Sequence, residues 1–532
     1  MARTTIKVDP FMTILSGKPP VPQKLKRRTE LRNPIDPLDD QPATYDDTLR
    51  KKTRWSILWT VLRILSDQVF AFIVFVVLAR LLSPADFGIY AIAQAVAEIG
   101  RAIAIGGMVQ NIPRAKKLTP ALADTVFWTN LTSSLVLAFA ILLLAPPIMN
   151  MLELSHATGP VQGLGFVLPI AALGATHMSL RLREFGHKSL ALRSVISGTI
   201  GGAAGIAAAV TGFGIWALVV QRLVTEATNT LVSWQAYPWV PGRNFSKEQL
   251  RATWAFGFNI AVQQILSLLP RRAMDLILGS MIGAAAVGLN RTARRTNELV
   301  LHGTVNPFTV VALQTLSRLQ SDSTELIKAY RWMVSKSAML SCPALVGLGV
   351  LAPEAVPALF GDKWEVSGKI VQIFSFMVVP YALNSFTSPV LMALGRGATL
   401  RTFALFQLIT TIIFALAAAP FGLLAVAAAT VLRAYLALPF QLWMLRSASG
   451  LKPQDALSAI ARPLLASLMM GAVVWVLMAV LQPQFERALV PLVLCVITGM
   501  AVYGVLIYAI SEEARKMAHG QLKAVRARFR KA

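Results

Sequence analysis

The chain has 532 residues, of which 55% are hydrophobic and only 14% charged, and its formal net charge at pH 7 is +25. This composition excludes an ordinary soluble globular domain, in which about a quarter of the residues are charged. In a soluble protein such a charge would point to nucleic acid, but here membrane topology and attraction to anionic lipid headgroups explain it, and we expect no nucleic-acid partner.

The two ends of the chain are polar and basic. Residues 1–54 contain several prolines and the basic cluster Lys24–Arg28, and they lack the apolar core that a signal peptide needs near its start. We predict a disordered basic cytoplasmic tail there. Residues 511–532 are also basic, with helical spacing, and we predict a second cytoplasmic tail.

Between these tails, apolar runs of about 20 residues predict about fourteen transmembrane helices in an all-α polytopic membrane protein. The predicted spans are 57–80, 86–108, 122–145, 161–180, 190–211, 214–235, 253–280, 284–312, 333–352, 369–394, 400–419, 421–445, 461–481 and 488–510. We group them as an N-lobe (55–238, spans 1 to 6), a cytoplasmic linker (239–251), a C-lobe (252–446, spans 7 to 12) and two further spans (460–510).

Loops rich in lysine and arginine alternate with short loops that are nearly uncharged. The basic groups are Arg114, Lys116 and Lys117; Arg181, Arg183, Lys188 and Arg193; Arg243, Lys247 and Arg251; Arg318, Lys328, Arg331 and Lys336; Arg396 and Arg401; and Arg446, Lys452 and Arg462. Because basic loops are retained inside during insertion, we predict a multi-pass inner-membrane protein with both termini cytoplasmic. The short outer loops leave no room for an enzymatic domain.

The first twelve spans resemble two copies of six. A shift of 200 residues places Leu78–Tyr90 under Leu278–Asn290 and Glu98 under Glu298. Six spans per copy is an even number, so the copies are expected to run in parallel, which is a transporter architecture.

Several ionisable residues fall within the spans, where they are costly unless they face water or a partner. The basic ones are Arg63, Arg101, Arg222, Arg271, Arg272, Arg291, Arg294, Arg295 and Arg433, and the acidic ones include Asp67, Glu98, Asp275 and Glu298. Steps of three and four place most of the charges of span 8 on one stripe. We predict that these arginines line a cavity that binds a phosphate- or carboxylate-bearing cargo, with the four acids as candidates for ion coupling.

Less specific interpretations remain open for some of these residues. Arg63–Asp67 and Arg222–Glu226 are spaced as structural ion pairs within a helix. His177 and His302 are more typical of packing residues. Cys342 and Cys495 lie in apolar spans, so we expect no disulfide, and no metal site, cofactor or catalytic residue is indicated.

Six segments together carry a family resemblance: Leu78–Tyr90, Gly212–Val219, Asp275–Gly279, Val287–Arg291, Leu313–Gln320 and Leu359–Trp364. They resemble the Wzx-like polysaccharide transporters, the oligosaccharide flippases of the multidrug/oligosaccharidyl-lipid/polysaccharide exporter superfamily. The chain departs from the family at Asn290, where relatives usually have an aromatic residue.

The resemblance implies two six-helix lobes around a central cavity and two extra helices. It implies alternating access that moves a glycan linked to undecaprenyl pyrophosphate to the periplasmic leaflet, for exopolysaccharide, capsule or O-antigen synthesis. The partners would be the lipid-linked glycan and membrane lipid, with a polymerase and export machinery as further candidates.

Three alternatives compete with this function. A multidrug antiporter of the same fold would need an acidic, aromatic cavity for organic cations, which the arginine excess disfavours. A glycan polymerase or ligase would need a catalytic surface on a long outer loop. A scaffold without transport would not explain the charges inside the membrane.

Overall fold

The computed structural model describes residues 70–510, except Lys116, Phe185, Gly186 and 486–488, together with Arg515. The regular elements of the described part are all helices, without β-strands, which confirms the predicted all-α class. Arg63, Asp67 and the predicted basic tails, apart from Arg515, lie outside the described residues.

The chain divides into two compact units, one up to Arg272 and one from Ala273. The helices of the first unit are α1 (Phe70–Leu81), α2 (Pro84–Arg101), α3 (Asn111–Arg114), α4 (Pro120–Met151), α5 (Thr158–Gly165), α6 (Val167–Arg183), α7 (His187–Val210), α8 (Trp216–Ala236) and most of α9 (Lys247–Met281). The division falls inside α9, whereas the sequence suggests a linker at 239–251, so the predicted lobe boundaries stay a prediction.

The second unit begins with the last residues of α9. Its helices are α10 (Ala284–Thr304), α11 (Asn306–Arg318), α12 (Ser323–Phe360), α13 (Glu365–Ser375), α14 (Val378–Ala393), α15 (Gly397–Ala418), α16 (Leu423–Ser449), α17 (Pro453–Leu481) and α18 (Leu489–Ile510). In its largest core, Tyr330 and Phe386 are almost fully buried beside Leu445 and Ile460.

Ten helices in the described part of the chain are long and apolar enough to cross a membrane, or up to twelve if two bent pairs each count as one span. The bent pairs are α10 with α11, at 55°, and α13 with α14, at 67°. Helix α8 has sufficient length but is not among these ten, and it carries the charged residues Arg222 and Glu226. The first predicted span begins outside the described residues. The chain is therefore a multi-pass membrane protein, and the count of fourteen stays a prediction.

Local sequence signals explain where several helices begin. Ser83 and Asp86 form a capping box at the start of α2, with Pro84 in the first turn, where its missing N–H costs nothing. The Thr119 hydroxyl accepts from the backbone N–H of Leu122 at the start of α4, and Asp322 caps α12 in the same way.

The order of helices repeats along the chain. Helix α1 ends at Leu81 and α9 at Met281, while α2 begins at Pro84 and α10 at Ala284, the same shift of 200 residues that the sequence shows. A long helix (α4, α12), a broken helix (α5 with α6, α13 with α14) and two more long helices (α7 with α8, α15 with α16) then follow in both copies. The element order supports the internal repeat.

His177 is a packing residue, as predicted. Its Nε2 lies 2.9 Å from the carbonyl oxygen of Trp239, and its ring stacks on Trp234 with centroids 4.4 Å apart. The two cysteines are buried and form no disulfide.

Candidate functional site

Glu226 lies at the centre of an ionic cluster in the first unit. It is only 4% exposed, and its Oε1 is 2.6 Å from Nη1 of Arg101 and 2.8 Å from Nη2 of Arg222. Arg222 precedes Glu226 by one helical turn of α8, which is the pairing expected from the sequence. Arg101 comes from α2, so one buried carboxylate faces two guanidinium groups.

A second pair in the first unit joins α2 to α9. Arg272 donates from Nη2 to Oε2 of Glu98, while Nε2 of Gln94 donates to the other carboxylate oxygen at 2.6 Å. Arg272 is 9% exposed, whereas its neighbour Arg271 is exposed. Half-buried Glu98 therefore accepts a charge-assisted and a neutral hydrogen bond at once.

The corresponding pair in the second unit joins α9 to α10. Nη2 of Arg294 is 2.9 Å from Oδ1 of Asp275, and Asp275 is fully buried. An isolated carboxylate at this depth would be very costly, so the pair with Arg294 stabilises Asp275 within the unit.

The predicted charged stripe of α10 is present. Arg291, Arg295 and Glu298 are half-buried on one face of the helix, and Arg295 lies within electrostatic range of Glu298. The opposite face, which includes Ala293 and Asn297, is packed inside the unit. The stripe is thus neither part of the packed core nor fully exposed.

Arg433 on α16 is the remaining predicted arginine in the second unit. Its Nε and Nη1 atoms are buried and have no hydrogen-bond acceptor among the described residues. Tyr381 of α14 lies within electrostatic range of the guanidinium. Buried donors of this kind are stabilised strongly by an anionic acceptor.

Among the described candidate residues, each unit contains more arginines than carboxylates. Positive charge therefore remains after the ion pairs are counted. Arg101, Arg222 and Arg272 face Glu98 and Glu226 in the first unit. Arg291, Arg294, Arg295 and Arg433 accompany Asp275 and Glu298 in the second. Within the described part of the chain no three His, Cys, Asp or Glu side chains are grouped as metal ligands.

The two copies of the repeat differ in these charges. A shift of 200 residues places Ala91, Gln94 and Ala95 where α10 has Arg291, Arg294 and Arg295. Gln94 is uncharged and is not among the candidates predicted from the sequence, although its match to Arg294 is a usable signal. The sequence does not indicate that Arg101 contacts Glu226 or that Arg272 contacts Glu98, since these partners are far apart in the chain.

Comparisons with known proteins agree with this architecture. A family model described as polysaccharide biosynthesis protein matches residues 77–369. The succinoglycan biosynthesis transport protein ExoT of Rhizobium meliloti is 24% identical, with 88% of this chain and 94% of the relative covered. The lipopolysaccharide biosynthesis protein WzxC of Escherichia coli is 23% identical over 66% of this chain and 71% of the relative.

Two solved structures share the fold. The inward closed conformation of the lipid II flippase MurJ matches with a TM-score of 0.65 at 14% identity and covers 87% of this chain and 98% of its own. An inward-facing multidrug resistance transporter of the MATE family, in the MOP superfamily, matches with a TM-score of 0.52 at 17% identity and covers 73% and 99%. At such identities these matches establish the fold alone.

Proposed function

The chain belongs to the polysaccharide biosynthesis protein family, and from that premise we propose that it flips a lipid-linked oligosaccharide of the undecaprenyl-pyrophosphate type. The direction would be from the cytoplasmic to the periplasmic leaflet, for exopolysaccharide, capsule or O-antigen synthesis. The observation that carries the proposal is the excess of arginine over carboxylate on α9, α10 and α16 of a multi-pass membrane protein. The relatives are described as a transport protein and a flippase, which supports transport rather than catalysis.

The chemistry of the arginines suits a pyrophosphate headgroup. A guanidinium presents a planar fork of N–H donors that matches two phosphate oxygens and stays charged at any working pH. In the proposal, Arg291, Arg295 and Arg433 donate to the headgroup along its path. The ion pairs Arg294–Asp275 and Arg272–Glu98 hold their helices in place, and Arg101, Arg222 and Arg271 add positive potential. The polyprenyl tail stays in lipid while the two halves alternate.

Coupling to an ion remains part of the proposal for Asp67, Glu98, Asp275 and Glu298. Asp275 is fully buried and bonded to Arg294, which suits an anchor better than a group that gains and loses a cation. Glu98 is bonded to Arg272. Glu298 is half-buried on the charged stripe of α10, within electrostatic range of Arg295, and stays a candidate.

The orientation and partners belong to the same proposal. The basic loops favour a bacterial inner-membrane location with both termini in the cytoplasm. A polymerase and export machinery would act on the product in the periplasm and are proposed as partners.

The likeness to a multidrug transporter favours one second candidate, an ion-coupled multidrug antiporter of the same fold. Organic cations would bind poorly near Arg291, Arg295 and Arg433, because like charges repel strongly at low dielectric. A scaffold that transports nothing would not need these buried guanidinium groups.

Replacement of the stripe arginines tests the function in cells. Arg291→Ala/Arg295→Ala should abolish surface polysaccharide in a complemented deletion strain and cause the lipid-linked oligosaccharide to accumulate, while the protein stays in the membrane. Arg401→Ala, which removes an exposed arginine at the start of α15, is the matched control. Full export by a membrane-stable double variant would remove these arginines from the mechanism.

A further inference from the structure

A basic pocket lies between α12 and α17 within the second unit and shares no residue with the candidate cargo arginines. Its volume is about 470 Å³, and Lys328, Arg331, Trp332 and Ser335 from α12 and Ser458 and Arg462 from α17 line it. The α12 residues follow one another at steps of three, one and three, so a single helix face supplies them.

The pocket keeps a net positive charge after its ion pairs are counted. Nζ of Lys328 is 2.8 Å from Oε1 of Glu325, and Nη1 of Arg331 is 3.2 Å from Oδ1 of Asp455. Arg462 is exposed, and no carboxylate within the described residues pairs with it. Three cations therefore meet two carboxylates, and at least one guanidinium is available to an anion.

The position along α12 places this pocket at headgroup level. Helix α12 has 38 residues, which gives a length of about 57 Å, whereas the hydrocarbon core of a bilayer is about 30 Å thick. Because Lys328 and Arg331 are costly in the acyl chains, the first turns of α12, which carry them, are the end expected to project. Trp332, 54% exposed, is the residue type that concentrates at this interface.

An apolar surface continues from the basic pocket along α17. Leu465 and Met469 are exposed and follow Arg462 at helical spacing, so they extend the same stripe toward mid-membrane depth. A ligand that fits both features has an anionic head and at least one hydrocarbon chain.

We propose that this pocket binds an anionic phospholipid of the surrounding membrane. Arg331 and Arg462 donate to the phosphodiester, Lys328 adds positive potential, the Ser335 hydroxyl donates a further hydrogen bond, and Trp332 packs against the glycerol backbone. The acyl chains lie along Leu465 and Met469. Basic pockets between membrane helices on the cytoplasmic side are a recognised type of phospholipid headgroup site.

A phospholipid is favoured over the lipid-linked cargo as the occupant because of its abundance in the membrane. Phospholipid surrounds α12 and α17 at all times and at high concentration. The inference is therefore independent of the cargo, and its failure would leave the proposed function untouched.

Titration of the purified full chain with phosphatidylglycerol, followed by native mass spectrometry in neutral detergent, tests the proposal. Arg462→Gln breaks no ion pair and should weaken the first bound phosphatidylglycerol about 5-fold. Arg331→Gln/Arg462→Gln should weaken it about 30-fold. The matched control Arg396→Gln/Arg401→Gln removes two exposed arginines elsewhere and should change the affinity less than 2-fold.

Two outcomes would overturn the proposal. One is an unchanged phosphatidylglycerol affinity in Arg462→Gln, a variant whose folding does not depend on an ion pair. The other is displacement of phosphatidylglycerol from the wild type by undecaprenyl pyrophosphate at equal or lower concentration, with this competition lost in the double variant, because the pocket would then be a cargo site. Phosphatidylcholine, which has no net charge, should bind all variants equally.

Discussion

At the scale of single residues, the arginines of this protein divide into two groups. Arg294, Arg272 and Arg101 contact carboxylates on other helices and hold those helices together. Arg433 has buried donors with no acceptor in the described part of the chain, and Arg291 and Arg295 lie on the half-buried stripe of α10. The first group should affect stability and the second group transport.

The Arg294–Asp275 pair provides a stability test of this division. Arg294→Met removes the ion pair with the fully buried carboxylate of Asp275 and should lower the free energy of unfolding by about 3–5 kcal/mol. The combined change Arg294→Met/Asp275→Leu removes both charges and should recover most of the loss.

The measurement is the unfolding temperature of the purified protein in detergent. Arg433→Met, which removes an arginine of the second group, should lower it much less than Arg294→Met. Equal destabilisation by the two single variants would contradict the division into anchoring and cargo-binding arginines.

At the scale of the elements, the close approach of α2 and α9 in the first unit depends on glycine. The regular α2 helix ends in a π-helical turn, Ala102–Gly106, and a Cβ atom added at Gly107 would overlap the backbone carbonyl of Gly257. The two backbones can approach this closely only because neither residue has a side chain.

Gly107→Ala should therefore separate α2 from α9 and reduce both the yield of folded protein and glycan export. Gly198→Ala in α7 is the matched control, because no atom lies within 4 Å of the added methyl group and alanine favours a helix by about 1 kcal/mol over glycine. Size-exclusion profiles and export should be altered in the first variant and normal in the second. Normal behaviour of Gly107→Ala would show that this contact is not needed.

The sequence predicts the elements better than the contacts between them. Proline at the start of α2 and α4, the 200-residue shift and the spacing of Arg222 and Glu226 are local signals, and each has its counterpart in the structure. The 67° bend between α13 and α14 and the contact of Arg272 with Glu98 depend on packing, so no local pattern indicates them.

At the scale of the whole molecule, the alternation of basic and neutral loops predicts the orientation. Helix α15 is 22 residues long, about 33 Å, so Arg401 near its start and Phe421 in the turn after it should lie on opposite sides of the membrane. Phe421 is 81% exposed, so a cysteine placed at this position is accessible to a labelling reagent.

Cysteine labelling measures this orientation. A membrane-impermeant maleimide should label Phe421→Cys in intact spheroplasts and Arg401→Cys only after permeabilisation, because the basic end is expected to be cytoplasmic. The native cysteines are buried, so the unmodified chain should give no background. The reverse pattern would overturn the predicted topology.

In the proposed mechanism, arginines on α10 and α16 bind the anionic headgroup as it crosses the membrane. Leaflet transfer of a lipid-linked oligosaccharide in reconstituted vesicles, comparing the wild type with Arg291→Ala/Arg295→Ala/Arg433→Ala, tests it most directly. We expect transfer by the wild type and a loss of at least about 100-fold in the triple variant, since each missing charge-assisted contact costs about 1.5–3 kcal/mol. Equal transfer rates for the two proteins, with the variant folded, would contradict the claim.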